Sequence, residues 1–179
     1  MKATRILLAA MVLGTALGAS QANAQNCGGV GSCNSTNTAS VTVGALVKLI
    51  MSGSATTLTS PTADNIDLGA QIPDNGPTFT IKANRSWTLK IKTSNTPNWT
   101  YTGSNSGVKP IGDLAWATSS GGTYTPITNS DVTFASGAAA SNGTAASAFF
   151  ETTWVANFAS AANREGTYSL PIVFTLSAP

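Results

Sequence analysis

Apolar side chains recur at every second position along most of this chain, and only an extended strand turns that period into one dry face and one wet face. In Arg85–Ser94, Trp87, Leu89 and Ile91 take one parity while Thr88, Lys90 and Lys92 take the other. The alternation also runs through Val41, Val43, Ala45, Val47, Leu49 and Met51, and through Phe79, Ile81 and Ala83. It returns in Leu114 and Trp116, in Val132 and Phe134, and in Phe150, Thr152 and Trp154. The C-terminal run is the cleanest: Tyr168, Leu170, Ile172, Phe174 and Leu176. Ile66 and Leu68 read as a further short strand, and no window holds apolar residues at a 3.6-residue period. Gly, Pro, Asn and Ser clusters separate the runs, as turns require. About eight short strands of this kind predict an all-β fold, an antiparallel β-sandwich over residues 41–179.

Trp87 reads as the centre of the core. An indole buries about 200 Å², which at about 25 cal/mol per Å² is worth up to about 5 kcal/mol. Lys90 and Lys92 then fall on the solvated face, where they discourage edge-to-edge aggregation. Ala135–Ser147 (ASGAAASNGTAAS) has low complexity and reads as an exposed loop, with Gly137 and Gly143 opposing any helical turn. Pro171 cannot donate to a ladder, so the last strand belongs at a sheet edge or carries a bulge.

The N-terminus follows other rules. Lys2 and Arg5 precede the apolar run ILLAAMVLGTALGA, and Ala22-Asn23-Ala24 matches a small-x-small cleavage site. Residues 1–24 are expected to be a cleaved signal peptide. The protein is then secreted, extracellular or on the cell surface, passing a periplasm if the envelope is Gram-negative. Losing Lys2 and Arg5 leaves seven basic residues against seven acidic. A neutral surface has no electrostatic footprint for nucleic acid, and no later segment is apolar enough to cross a bilayer. Residues 25–40 are expected to be a flexible segment holding both cysteines. Cys27 and Cys33, in CGGVGSC, suit a redox switch, a metal clip or a disulfide. The five-residue spacing departs from redox motifs and no second ligand pair exists, so a disulfide is the preferred reading.

Chemistry-bearing groups are scarce. Without histidine, Ser-His-Asp and Cys-His catalysis and histidine-bound metals are excluded. Glu151 and Glu165, the only glutamates, read as solvated side chains rather than a glycosidase pair. Asp64, Asp67 and Asp74 offer oxygen ligands without calcium-loop spacing, which favours turn chemistry. No catalytic residue, metal or cofactor is expected. Trp99, Tyr101 and Tyr124, in strands flanked by turn residues, are the candidate glycan-binding side chains, because aromatic faces among Asn and Thr hold sugar rings by stacking. The competing reading has Trp99 and Tyr101 share parity and plug the end of the sandwich.

Ser86-Trp87-Thr88-Leu89 resembles the first signature of the WxL surface-domain family. Tyr168 through Pro179 resembles its closing signature, with Phe174-Thr175-Leu176 in place of the second W-x-L. Ile66-Asp67-Leu68-Gly69 is similar to a short strand found there and in exported pilin-like β-domains. The resemblance implies an Ig-like or pilin-like sandwich of the cell envelope, with Trp87, Leu89, Tyr168, Phe174 and Leu176 as its motif and core positions. The expected function is that of a non-catalytic structural or adhesive surface or fibre component; the alternative is a carbohydrate- or cell-wall-binding module. Expected partners are a cell-surface polymer, other envelope proteins, or further copies of the chain. In the last case the N-terminal segment Asn34–Met51 of one copy inserts into the next by strand pairing.

Overall fold

The structure, a computed structural model, describes residues 29–179. The expected signal peptide lies outside the described residues, and so does Cys27 with the pairing expected between it and Cys33. Residues 29–42 contain no helix or strand and are exposed throughout. Val43–Pro179 forms a separate compact unit, which carries every strand among the described residues.

The strands are β1 (Val47–Met51), β2 (Gln71–Ala83), β3 (Trp87–Thr93), β4 (Thr100–Thr102), β5 (Leu114–Ala117), β6 (Thr125–Pro126), β7 (Val132–Gly137), β8 (Ser141–Thr153), β9 (Thr167–Ser169) and β10 (Ile172–Ser177). A short α-helix, α1 (Ala63–Leu68), precedes β2. One sheet runs β1-β2-β8-β5-β6 and a second runs β10-β3-β7; a small pair, β4-β9, completes the set among the described residues. Pairing is antiparallel. This is the all-β sandwich that the alternating pattern demands.

The two larger sheets meet through aromatic rings. Phe79 of β2 touches Phe134 of β7 and Phe174 of β10, with centroids 5.7 and 4.5 Å away. Trp116 of β5 lies 5.4 Å from Phe134. Trp87, Leu89 and Ile91 on β3 are buried in the same cluster. Opposite them, Lys92 reaches Asp131 at 3.0 Å on the outer face. Gly137 pairs with Trp87 across the β3–β7 ladder. A Cβ there would sit 2.5 Å from the indole Nε1, so any side chain at this position would push the ring aside.

Three stretches differ from the reading of the pattern. Ile66 and Leu68 lie on a helix, not a strand. Thr62 caps it by accepting from Asn65 N–H while Asn65 Oδ1 accepts from Thr62 N–H, and Gly69 closes it at φ 59°. Only Ile66 is buried, so the two-residue spacing carried no face.

Ala135–Ser147 is not a loop: its ends are strand, and Ser141–Ser147 opens β8 against β2. A backbone ladder needs no large side chains, which is why low complexity misled. Ser141 Oγ accepts from the Gly143 and Thr144 amides and donates to Ile81 O, satisfying the backbone where the β2–β8 register shifts.

The N-terminal alternating run becomes strand only at Val47, which pairs with Ala83, the last residue of β2. Beyond that point the neighbouring chain turns away, and residues 41–46 have no ladder to join. Asn84 extends the hold slightly: its side chain accepts from Leu46 N–H and donates to Gly44 O, and its own amide donates to Leu46 O.

Candidate functional site

β10 and β1 are edges of the two larger sheets, and they approach each other on one side of the sandwich. Along that side runs a groove of about 1000 Å³. Met51 and residues 53–61 line it, with Pro77, Trp99, Lys109, Leu114, Phe150 and Trp154; Leu170, Ile172 and Phe174 line it from the β10 side. Ile172, Phe174 and Leu176 pack against the core yet remain half-buried, as do Tyr168 and Leu170 before them. On β1, Leu49 is half-buried, while Val47 and Met51 are exposed. The inner faces of both edge strands are thus incompletely covered.

Pro171 separates β9 from β10 and is not within the ladder; its carbonyl accepts the hydroxyl of Thr93. β10 then pairs with β3 over all six residues, Ile172 to Thr93 through Ser177 to Thr88. Among the described residues its other edge carries no strand, as expected from a run that opens beside a proline. Phe174, standing where the resemblance called for tryptophan, joins the ring cluster against Phe79 and Phe134.

Lys109 sits in the groove wall, 1 % exposed. Its ammonium donates to Asp113 Oδ2 at 3.2 Å and to Thr153 O at 2.6 Å, and stands 4.2 Å from the ring centre of Trp154. Burial lowers its pKa below the ordinary lysine value, and Asp113 opposes the shift. Trp154 Nε1 is buried without a hydrogen-bond partner, leaving a donor beside the groove. Sequence reasoning passed over Lys109; the spacing to Asp113, four residues on, was its only visible signal.

The three candidate glycan-binding residues are placed differently from one another. Trp99 is 8 % exposed and belongs to the core cluster, and its Nε1 donates to Pro110 O. That leaves little indole face for a sugar. Tyr101 is half-buried on β4, opposite Tyr168 of β9 in register, with ring centres 5.0 Å apart. Its hydroxyl donates to Glu165 O, and that of Tyr168 to Ala161 O and Arg164 O. Burial raises the Tyr168 pKa, and the neighbouring Tyr101 adds to the rise. Tyr124 is half-buried in the turn before β6 and lines no part of the groove. Trp99 lies just before β4 and Tyr101 on it, so different contacts hold the two rings.

The acidic residues are dispersed. Asp64 and Asp67 lie on α1, and Asp74, on β2, accepts from both the amide and the hydroxyl of Thr59. Glu151 is half-buried on β8, and Glu165 is exposed before β9. Among the described residues no three metal-ligating side chains gather, and no helix is long and apolar enough to cross a membrane.

No family model matches the chain, the WxL family included, and no curated protein matches it either. Among solved structures it is similar to a chain from a chaperone–usher pilus, described for the molecular basis of rod uncoiling. That likeness covers 86 % of this chain and 100 % of the other, at 10 % identity and a TM-score of 0.46.

Proposed function

We propose that this is a non-catalytic, secreted structural component of a cell surface or fibre, joined to its neighbours by strand pairing. The observation that carries the reading is the half-covered inner face of β10, with its free edge beside an apolar groove. An added strand would hydrogen-bond the free edge and cover Ile172, Phe174 and Leu176. The occupant is the N-terminal segment of a second copy. There Val41 and Val43 are 88 % and 66 % exposed, two positions apart, the spacing a strand uses to fill adjacent pockets. Because β1 is paired and Asn84 holds residues 44–46, the donated stretch is 34–43 rather than Asn34–Met51. Ten extended residues reach about 33 Å, more than the roughly 20 Å of six-residue β10.

The test is whether the purified protein forms ladders that resist SDS without boiling. Ladders lost on V41D/V43D, with the monomer still folded, are the expected result. A strictly monomeric protein in light scattering at every concentration would contradict the reading. Glycan binding abolished by Trp99→Ala would favour the carbohydrate module instead.

A further inference from the structure

The groove has a resident cover. Residues 53–61, GSATTLTSP, run along it without helix or strand, and none of their backbone groups bonds to another backbone group among the described residues. All are exposed except Leu58 and Pro61, and Leu58 packs against the core cluster. A largely exposed, polar segment thus places Leu58 against the core at the groove.

The segment is fastened at few points. At its root, Ser52 N–H donates to Thr78 O and Thr78 N–H to Ser52 Oγ. At its far end Thr62 caps α1. Between them a single residue grips: Thr59 donates its amide to both oxygens of Asp74, at 3.1 and 3.0 Å, and its hydroxyl to Oδ1 at 2.6 Å. Three bonds from one residue converge on a single carboxylate. The attachment is local, so it can open without disturbing a ladder.

We infer that residues 53–61 are a displaceable strap, latched by Thr59 on Asp74, with Leu58 holding the place of an incoming apolar side chain. This rests on the groove being the strand-accepting site. A segment with no ladder bonds loses only the latch and the Leu58 contact when it lifts. An arriving strand gains ladder bonds to β10 that the strap never makes. The latch therefore sets how fast a strand enters rather than whether the site exists. It also keeps the apolar groove covered before a partner arrives.

The test uses a fluorescent peptide of residues 34–43 added to the whole protein, with uptake followed by stopped-flow anisotropy. Asp74→Ala, which removes both the amide and the hydroxyl bond of the latch, is expected to speed uptake by more than about tenfold, the scale of a single bond to a carboxylate. Thr59→Val, which removes only the hydroxyl, should give a smaller acceleration, and it serves alone if Asp74→Ala fails to fold. Hydrogen exchange at the Thr59 amide reports unlatching independently of the peptide. Uptake unchanged while that amide exchanges freely would overturn the strap and leave the groove reading standing. No uptake in any variant would overturn both.

Discussion

β3 and β10 are neighbours in one sheet, paired residue for residue, and both alternate cleanly, yet they end up differently covered. On β3, Trp87, Leu89, Ile91 and Thr93 are all buried. On β10 the matching residues, Leu176, Phe174 and Ile172, are half-buried. Hydrophobicity does not separate them, since β10 carries the longer apolar run. Position does: among the described residues β3 lies between β7 and β10, whereas β10 has a strand on one side only. Alternation decides which face looks inward; the number of flanking strands decides how far that face is closed.

Substitutions along the two strands should break the symmetry of their patterns. Trp87→Ala is expected to cost about 3–5 kcal/mol of unfolding free energy in urea titrations, the range for a large aromatic lost from a packed core. Phe174→Ala should cost clearly less, about 1–3 kcal/mol, because part of its surface is already wet. Equal losses would mean that β10 is as closed as β3. Next in size, Gly137→Ala should lower stability by about 1–3 kcal/mol by forcing the Trp87 ring aside. A matching change in near-ultraviolet circular dichroism would place the strain at the indole.

Lys109 sharpens the comparison on the groove side. Its folded pKa lies below the unfolded value of 10.5, so between the two the unfolded chain binds more protons and stability rises with pH. The cost of burying the charge is complete below that window and is relieved through it. Lys109→Met should remove this positive slope, as read by urea midpoints measured across the alkaline range. Persistence of the slope in the variant would assign it to another group. The smallest effect is expected at Asn84. Asn84→Ala should speed hydrogen exchange at Leu46 while changing global stability by under about 1 kcal/mol.

Sequence alone made much of the sandwich legible because each core strand carries its own period: Phe79 and Ile81, Trp87, Leu89 and Ile91, and Phe134 all face inward as parity requires. It failed where the deciding partner was distant or lacked a side-chain signal. The early end of the N-terminal strand depends on where β2 stops, at Ala83. The β7–β8 hairpin depends on backbone pairing among Ala, Ser and Gly. The α1 signature was present in Thr62, Asn65 and Gly69, but two apolar residues at strand spacing masked it. Of the site, the edge placement of the last strand could be read from Pro171. The groove could not, because it is made by residues 51–61 meeting Leu170–Phe174 across the fold. The burial of Trp99 was one of two readings that parity allowed; Lys109 and Pro110, whose carbonyls accept from its amide and its indole, lie ten and eleven residues further along the chain.

Hydrogen exchange along β3 and β10, followed from monomer to assembled protein, tests the central claim most directly. The account predicts that the β10 amides pointing away from β3 exchange rapidly in the monomer and become protected on assembly, while β3 stays protected throughout. Strong protection of those β10 amides in the monomer, unchanged at any concentration, would contradict it.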